Sequence, residues 1–280
     1  MPELPEVETI KSELEPCLVG RKFEEVVVGD ATAVQGLPAG RFQDGLAGRT
    51  VCGLARRGKF FIVRLDNKQA LIIHLRMTGN LILEDKDRSL PSQLTHARVR
   101  ATFKLDNGRV LAFIDRRRLG RVWLVNDEKE IVGKLGPEPL GDDFSSEVFA
   151  KLLARHRAPI KAVLCDQRVV AGIGNMYADE VLYEARIHPL TLANKLSPRA
   201  TSRLHSAIRS VLAKAIANKG ASVDTYFRPD CRQGTAHHEF KVAHHLHDEC
   251  PLCGGKVQRI VVRGRGTYFC PRCQKLGRSR

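Results

Sequence analysis

The chain has 280 residues, of which 43% are hydrophobic, and its formal net charge at pH 7 is +15. This length and composition predict a folded, soluble protein with one large domain or two ordinary ones. No apolar run approaches the roughly 20 residues of a membrane helix, and the acidic N-terminus is unlike a signal peptide, so we expect a cytoplasmic protein. The positive charge favours a polyanionic partner such as nucleic acid. A generally basic, soluble surface is the alternative.

The first predicted element is a helix near the N-terminus, where the chain reads MPELPEVETI. Apolar residues recur at spacings of three and four, which predicts a helix that begins near Pro5 and ends at Pro16. Acidic residues in its first turn complement the helix dipole. Pro2 and Glu3 precede this helix, and helix formation does not account for them.

The next hundred residues have the character of β-strands. The runs KFFIVRL, QALIIHL, ARVRATFKL and RVLAFI are separated by turn signals such as Asp106-Asn107-Gly108. We predict an antiparallel sandwich or flattened barrel, which together with the first helix forms a domain over residues 1–132. The glycines and prolines of KLGPEPLGDD predict a linker over residues 133–143.

Helices dominate after the linker. Ser145 is the predicted N-cap of one helix, and Pro198 stands in the first turn of a long amphipathic helix. Two shorter helices between them are joined by RVVAGIGN. We predict a helical domain over residues 144–235 and a C-terminal domain over residues 236–280.

Four cysteines near the C-terminus form two CxxC pairs, Cys250 with Cys253 and Cys270 with Cys273, and 16 residues separate the pairs. This spacing predicts tetrahedral ligation of one zinc ion, with the intervening residues forming the two strands of a zinc ribbon. Because four thiolates fill the coordination sphere, the predicted zinc site is structural. Unligated cysteines in a reducing compartment are the alternative.

The predicted zinc ribbon is strongly basic, since residues 251–280 contain eight lysines and arginines and no acidic residue. Arg263 and Arg265 lie between the cysteine pairs, where a rigid hairpin can hold them against phosphates. The glycines of AGIGN, with Lys161 and Asn175 nearby, indicate a further phosphate site at a helix N-terminus. Glycines placed there only for steric reasons are the alternative.

Three more motifs place basic or flexible side chains at strand ends. RRGKFF has Lys59 at the entrance to an apolar strand, LRMTGN has Met77 in a turn, and FIDRRRLG has three consecutive arginines. Each motif is also compatible with an ordinary surface. A flexible apolar side chain beside basic residues can, however, insert between base steps of DNA.

Together these motifs resemble those of the formamidopyrimidine-DNA glycosylases, bacterial repair enzymes that excise oxidised purines. The resemblance covers nearly the whole chain, with MPELPEVET, RRGKF, LRMTG, DRRRLG, LGPEPL, AGIGNMYADEVLYEARIHP and the cysteine motif in the family's order. It implies an α+β, multidomain fold: an N-terminal antiparallel β-sandwich with flanking helices, a helix-two-turn-helix domain and a C-terminal zinc ribbon. It also implies a bifunctional DNA glycosylase and AP lyase, which excises 8-oxoguanine and formamidopyrimidines and cleaves the strand by β,δ-elimination.

The resemblance implies roles for individual residues. Removal of the initial methionine would expose the secondary amine of Pro2, which would attack C1′ of the damaged nucleotide and form a Schiff base. A terminal amine has a lower pKa than lysine, so part of it is unprotonated near neutral pH. Glu3 would be the general acid, and Glu6 would support the site. Lys59 would assist β-elimination, while Arg265 would assist δ-elimination and hold a phosphate.

The target base must leave the helical stack, and side chains fill the space it vacates. The resemblance assigns this task to Met77, Arg117 and Leu119, with Arg117 facing the orphaned cytosine. Leu119 stands where the family usually has an aromatic side chain. The other residues expected to contact DNA are His96, Arg118, Arg157, Lys161, Asn175 and Arg263.

Two alternative functions remain open. An endonuclease VIII-like enzyme would apply the same chemistry to oxidised pyrimidines, although MPELPE and the positions of the void-filling residues favour the purine enzymes. A non-catalytic zinc-ribbon protein would bind DNA without a covalent intermediate. The favoured interpretation is a cytoplasmic monomer that acts on damaged double-stranded DNA, without membrane association and with one structural zinc ion.

Overall fold

The structure is a computed structural model, and it describes residues 2–84, 92–95 and 97–276. It has the mixed α+β architecture that the sequence predicts, with antiparallel sheets and a group of helices. Within these described ranges, no helix is both long and apolar enough to cross a membrane.

The chain folds into two compact units. The first comprises the N-terminal part as far as Lys134 together with Asn218–His237, and the second comprises Leu135–Ala217 and the chain from His238 onwards. Asn218–His237 follows the long helix in sequence but packs within the first unit, so it is described there.

Antiparallel strands form the framework of the first unit. They are β1 (Phe23–Val28), β2 (Val51–Arg57), β3 (Phe60–Leu65), β4 (Ala70–His74), β5 (Gly79–Glu84), β6 (Arg98–Leu105), β7 (Val110–Asp115) and β8 (Arg121–Val125). Two four-stranded sheets result, with the orders β1-β6-β7-β5 and β2-β3-β4-β8. The turn predicted around Asn107 joins β6 to β7, with Gly108 at a φ of 80°. Apolar residues of both sheets share one core, which confirms the predicted sandwich.

The helices of the first unit are α1 (Leu4–Leu18), α2 (Ala39–Leu46), α3 (Ser92–Thr95) and α4 (Lys129–Val132). Helix α1 begins as predicted, but it continues through Pro16, so the predicted end at this residue is wrong. Pro16 lacks one backbone donor, yet it lies in the last turn, where little helix remains to be disrupted. The fully buried Leu18 side chain stabilises that turn in the core.

The second unit contains the helices α5 (Ser146–Ala154), α6 (Ile160–Leu164), α7 (Asn175–Glu184) and α8 (Pro198–Ala217), followed by the strands β9 (Gln258–Val262) and β10 (Arg265–Phe269). Ser145 caps α5 as predicted, since its hydroxyl accepts a hydrogen bond from the Val148 N–H at 3.2 Å. Strands β9 and β10 form an antiparallel hairpin. Its turn contains Arg263 and Gly264 at φ values of 48° and 77°.

Candidate active site and metal centre

The four cysteines of the two CxxC pairs converge on one point in the second unit. Their sulfur atoms all lie within 4.8 Å of one another, with Cys250 Sγ 3.8 Å from Cys273 Sγ and Cys253 Sγ 3.5 Å from Cys270 Sγ. Tetrahedral zinc with Zn–S bonds of about 2.3 Å sets its sulfur atoms about 3.8 Å apart. The donor set and spacing therefore fit one zinc ion with four protein ligands.

Tyr183 from α7 supports this metal centre. Its hydroxyl lies 3.2 Å from Cys250 Sγ, and its ring packs with Val242 and Val257 around the cysteines. Burial raises the pKa of Tyr183 far above its ordinary value of 10.0. The phenol therefore keeps its proton and can donate a hydrogen bond to a metal-bound thiolate, which stabilises such ligands.

The β9–β10 hairpin presents two exposed arginines. Arg263 lies in the turn and Arg265 begins β10. With His156 and Arg168 they line an open cavity of about 540 Å³, whose rim also includes Asp166. Several cationic side chains around one cavity are suited to a phosphate group. His156 and Arg168 were not predicted from the sequence, although Arg168 belongs to the loop RVVAGIGN.

Beneath the hairpin, two buried polar residues and one partly buried residue bond to its backbone. Lys161 Nζ donates to Asp179 Oδ1 at 2.5 Å and to the carbonyl of Gly266 at 3.2 Å. Asn175 Nδ2 donates to the same carbonyl at 3.0 Å, and Asp179 Oδ2 accepts from the Tyr268 N–H at 3.1 Å. Burial raises the pKa of the Asp179 carboxyl, and the ammonium of Lys161 opposes that rise. These hydrogen bonds fix strand β10, which begins with the exposed Arg265.

The position of Lys161 disagrees with its predicted contact to DNA. The side chain is fully buried, and its ammonium is bonded to a carboxylate and a carbonyl inside the protein. In this structure the ammonium supports the hairpin from inside, and burial argues against direct contact with a phosphate. Arg157 is exposed ahead of α6 and Asn175 is partly exposed at the start of α7. Their predicted contacts with DNA stay predictions.

In the first unit, the two residues that precede α1 are buried, and Glu6 holds the backbone of the second. Pro2 and Glu3 are both buried, and the Glu3 N–H donates to Glu6 Oε2 at 2.7 Å. Glu6 Oε1 accepts from the Ala221 N–H at 2.8 Å. Gly220 has a φ of 76°, and a Cβ there would lie 2.9 Å from the Glu6 side chain. Glu6 therefore joins the backbone beside Pro2 to a second segment of the unit.

Lys59 lies in the turn between β2 and β3, and only 6% of it is exposed. The neighbouring Arg56 donates to Glu8 Oε2 of α1 at 2.7 Å and to the Gly58 carbonyl at 3.2 Å. The ion pair thus connects the first helix to the turn that carries Lys59. Two of the predicted catalytic regions, the start of α1 and this turn, are joined within one unit.

His74 on β4 affects how much positive charge surrounds Lys59. Its Nδ1 accepts a hydrogen bond from the Arg76 N–H at 3.0 Å, and its ring packs edge-on against Phe60, with centroids 4.6 Å apart. Burial, together with the charges of Arg76 and Lys59, lowers the pKa of His74 from 6.5 to about 3. The imidazole is therefore neutral near pH 7 and adds no cation beside the lysine.

The predicted void-filling residues lie in two neighbouring loops of the first unit. Met77 is 43% exposed in the turn between β4 and β5. Arg117 and Leu119 lie between β7 and β8, where Arg117 is exposed and Leu119 is partly exposed. Arg117 Nη1 lies 3.3 Å from Met77 Sδ. The structure thus brings into contact two of the side chains that the sequence predicts to enter DNA.

Arg118 follows in the same loop with a φ of 58°. Its Nε donates to Asp30 Oδ2 at 2.6 Å, and this guanidinium holds the pKa of the Asp30 carboxyl well below its ordinary value. Arg118 is exposed, but its charge already has a partner in the protein. The predicted contact at His96 lies outside the described residues.

Comparison with known proteins connects both units to one family. Residues 1–122 match the family model for the formamidopyrimidine-DNA glycosylase N-terminal domain. Residues 135–226 match the model for the H2TH domain of the same enzymes, and residues 248–276 match a zinc finger found in FPG and IleRS. The chain belongs to the formamidopyrimidine-DNA glycosylase family. The predicted family, fold class and single structural zinc ion are confirmed.

The formamidopyrimidine-DNA glycosylase of Chloroflexus aurantiacus is 43% identical over 276 residues, which cover 98% of each chain. The crystal structure of the FPG protein from Thermus thermophilus has 39% identity and a TM-score of 0.87, covering 99% of this chain and 100% of that one. A Lactococcus lactis FPG mutant in complex with a Fapy-dG containing DNA has 35% identity and a TM-score of 0.89, covering 98% and 100% of the two chains.

In this formamidopyrimidine-DNA glycosylase family member, buried carboxylates are the main feature that the sequence analysis missed. Asp115, Asp179 and Glu180 are at most 5% exposed. Glu180 accepts hydrogen bonds from three consecutive N–H groups of residues 241–243, at 2.8 to 2.9 Å. The sequence did contain a signal for them, since the acids lie within the apolar runs LAFID and NMYADEVLY. An acid at a buried position requires hydrogen-bond donors around it.

Proposed function

We propose that this protein excises oxidised purines from double-stranded DNA and cleaves the resulting abasic strand by β,δ-elimination. The observation that carries the proposal is the burial of Pro2 and of Glu3, whose N–H is bonded to Glu6, in a chain that matches formamidopyrimidine-DNA glycosylases over nearly its full length. Structures of the Lactococcus lactis relative with Fapy-dG DNA and with abasic-site DNA support the same substrates here.

In the proposed first step, the amine of Pro2, freed by removal of the initial methionine, attacks C1′ of the damaged nucleotide. The Pro2 nitrogen replaces the base at C1′ and loses its proton, and the C1′–O4′ bond of the sugar ring then breaks, which leaves an iminium between C1′ and the Pro2 nitrogen. Glu3 supplies a proton to the sugar or to the leaving group. Its backbone N–H is held by Glu6 Oε2 at 2.7 Å, which supports a fixed position for this acid beside the nucleophile.

In the proposed elimination steps, Lys59 assists proton transfer during β-elimination. Its nearly complete burial limits competing water, and the neutral His74 adds no cation beside it. Arg265 assists δ-elimination by binding a phosphate. Its place at the start of β10, above the pair of Lys161 and Asp179, supports that assignment.

The proposal assigns DNA binding to side chains of both units. Met77, Arg117 and Leu119 fill the space left by the extruded base, and Arg117 faces the orphaned cytosine. The residues proposed to contact the DNA backbone are Arg118, Arg157, Asn175 and Arg263.

Zinc, when bound, supplies only structural support for the hairpin. We further propose that the protein acts as a cytoplasmic monomer.

Incision assays on matched duplexes test the substrate class. One duplex contains 8-oxoguanine opposite cytosine, and the other contains an oxidised pyrimidine. We expect a higher kcat/KM for 8-oxoguanine, because Arg117 is available to face the cytosine. The Lactococcus lactis FPG has also been solved with DNA that contains an oxidised pyrimidine, so the second duplex is a direct competitor. A preference for the pyrimidine would contradict the proposed substrate.

A further inference from the structure

One buried carboxylate bonds to both loops that carry the predicted void-filling residues. Asp115 is the last residue of β7 and is fully buried. The hydroxyl of Thr78, the residue after Met77, donates to Asp115 Oδ1 at 2.5 Å. The Arg117 N–H donates to Asp115 Oδ1 and to Thr78 Oγ1, each at 3.1 Å. Asp115 Oδ1 and the Thr78 hydroxyl therefore connect the residue after Met77 to the backbone of Arg117.

The second oxygen of Asp115 closes the loop that contains Arg117 and Leu119. The Gly120 N–H donates to Asp115 Oδ2 at 2.7 Å, so the carboxylate binds the loop at both ends. A Cβ at Gly120 would lie 2.4 Å from the Phe113 ring and 3.2 Å from Asp115 Oδ2. Glycine is required there because a larger residue would displace the loop from the carboxylate.

A buried arginine near Asp115 forms an ion pair with Asp30, with Arg100 Nη1 3.5 Å from Asp30 Oδ2. Arg100 on β6 is fully buried, and burial lowers the pKa of its guanidinium, an effect that Asp30 and Asp115 oppose. Its Nη2 also lies 3.5 Å from the Gly120 carbonyl. Burying the charges of Arg100 and Asp115 costs free energy that apolar packing would not. A charged network under two exposed loops is therefore better explained by positioning of the loops than by stability of the core.

We propose that Asp115 is a positioning residue. It holds the turn of Met77 and the loop of Arg117 together, so that both side chains insert into DNA at the same time. The inference rests on the proposed function, in which Met77 and Arg117 fill the space of the extruded base. Arg117 cannot shift its backbone without breaking its bonds to Thr78 and Asp115. Two side chains that are already positioned lose less conformational entropy on insertion than two independent ones.

Two substitutions with a conservative control test this coupling. Asp115→Asn keeps the shape but places an amide N–H₂ against one of the donors of the loop, and Thr78→Val removes the bridging hydroxyl. Excision of 8-oxoguanine opposite cytosine should fall about tenfold in each, the factor for losing a hydrogen bond to a charged group. Cleavage of a preformed abasic duplex should fall clearly less than excision, because no base pair has to be broken and no base has to be unstacked. Thr78→Ser retains the hydroxyl and should behave as the wild-type protein.

A fluorescent base reports insertion directly. With 2-aminopurine beside the lesion, the fluorescence rise should slow in Asp115→Asn and Thr78→Val by the same factor as excision. Circular dichroism melting establishes that each variant is folded, and if Asp115→Asn does not fold, Thr78→Val decides. Unchanged excision in the folded variants, or an equal loss on both duplexes, would overturn the inference. Failure of the proposed function is distinguishable, because the wild-type protein would then cleave neither duplex.

Discussion

The two units hold their functional residues in opposite ways. In the first, Pro2, Glu3 and Lys59 are buried. In the second, Arg263 and Arg265 are exposed on a hairpin that a metal centre and a buried ion pair support from within. Covalent chemistry requires fixed geometry away from water, whereas binding to phosphates requires exposed charge. The first unit thus buries the side chains that we propose to react, and the second buries the groups that support its exposed charges.

The largest expected effect tests the chemical role of the first unit. Pro2→Gly removes the secondary amine and the ring that fixes it, and strand incision should fall by at least about 10³-fold. DNA affinity should change little, because no cationic side chain is lost. Incision gels and fluorescence anisotropy measure the two quantities. Pro16→Ala is the matched control, since this exposed proline of α1 has no chemical role, and its incision rate should be unchanged.

The second test separates a buried support from a DNA contact. Lys161→Met leaves the Asp179 carboxylate buried without its ion-pair partner, and the free energy of unfolding should fall by about 3 kcal/mol or more. The salt dependence of DNA binding should keep its slope, whereas Arg263→Ala should reduce that slope by about one phosphate contact. Chemical denaturation and binding titrations at several salt concentrations measure these effects. If the Lys161→Met variant is stable but its DNA binding depends less steeply on salt, the result would instead support the contact between Lys161 and DNA that the sequence predicts.

The pH dependence of stability tests the neutral His74 beside Lys59. In the folded protein its pKa lies at about 3 instead of 6.5, so the unfolded chain binds a proton first as the pH falls. The contribution of the neutral His74 to the free energy of unfolding is fully present above pH 6.5. It decreases as the pH falls below that value, by about 2 kcal/mol at pH 5. His74→Gln should flatten this dependence, and the exposed His247→Gln should not. Denaturation curves from pH 7.5 to 5 provide the measurement.

The smallest expected effect concerns the metal centre of the second unit. Tyr183→Phe removes the hydroxyl near Cys250 Sγ, and zinc release to a chelator should accelerate about tenfold. A colorimetric chelator measures the rate without any reference to activity. Tyr177→Phe is the control from the same helix, because the ring of Tyr177 packs against Phe240. Equal release rates in the two variants would exclude a role for the Tyr183 hydroxyl.

Local patterns predicted the features that depend on local spacing. The CxxC pairs predicted the metal centre, because ligand spacing constrains tetrahedral geometry, and short apolar runs separated by turn signals predicted the strands. The true end of α1 was not predictable, since it depends on burial of Leu18 in a core built from distant strands. The burial of Lys161 was not predictable for the same reason: its partner Asp179 is 18 positions away. Asp115 was visible as an acid in a buried strand, but its partner Thr78 is 37 positions away.

The central claim is that the Pro2 nitrogen becomes covalently bonded to the sugar during the reaction. Borohydride reduces an iminium to a stable amine, so the protein should be trapped on a duplex with 8-oxoguanine or an abasic site. Peptide mass analysis should locate the adduct on Pro2 as the N-terminal residue, and protein that retains Met1 should not be trapped. The absence of any covalent complex, or an adduct on Lys59 instead of Pro2, would contradict the account.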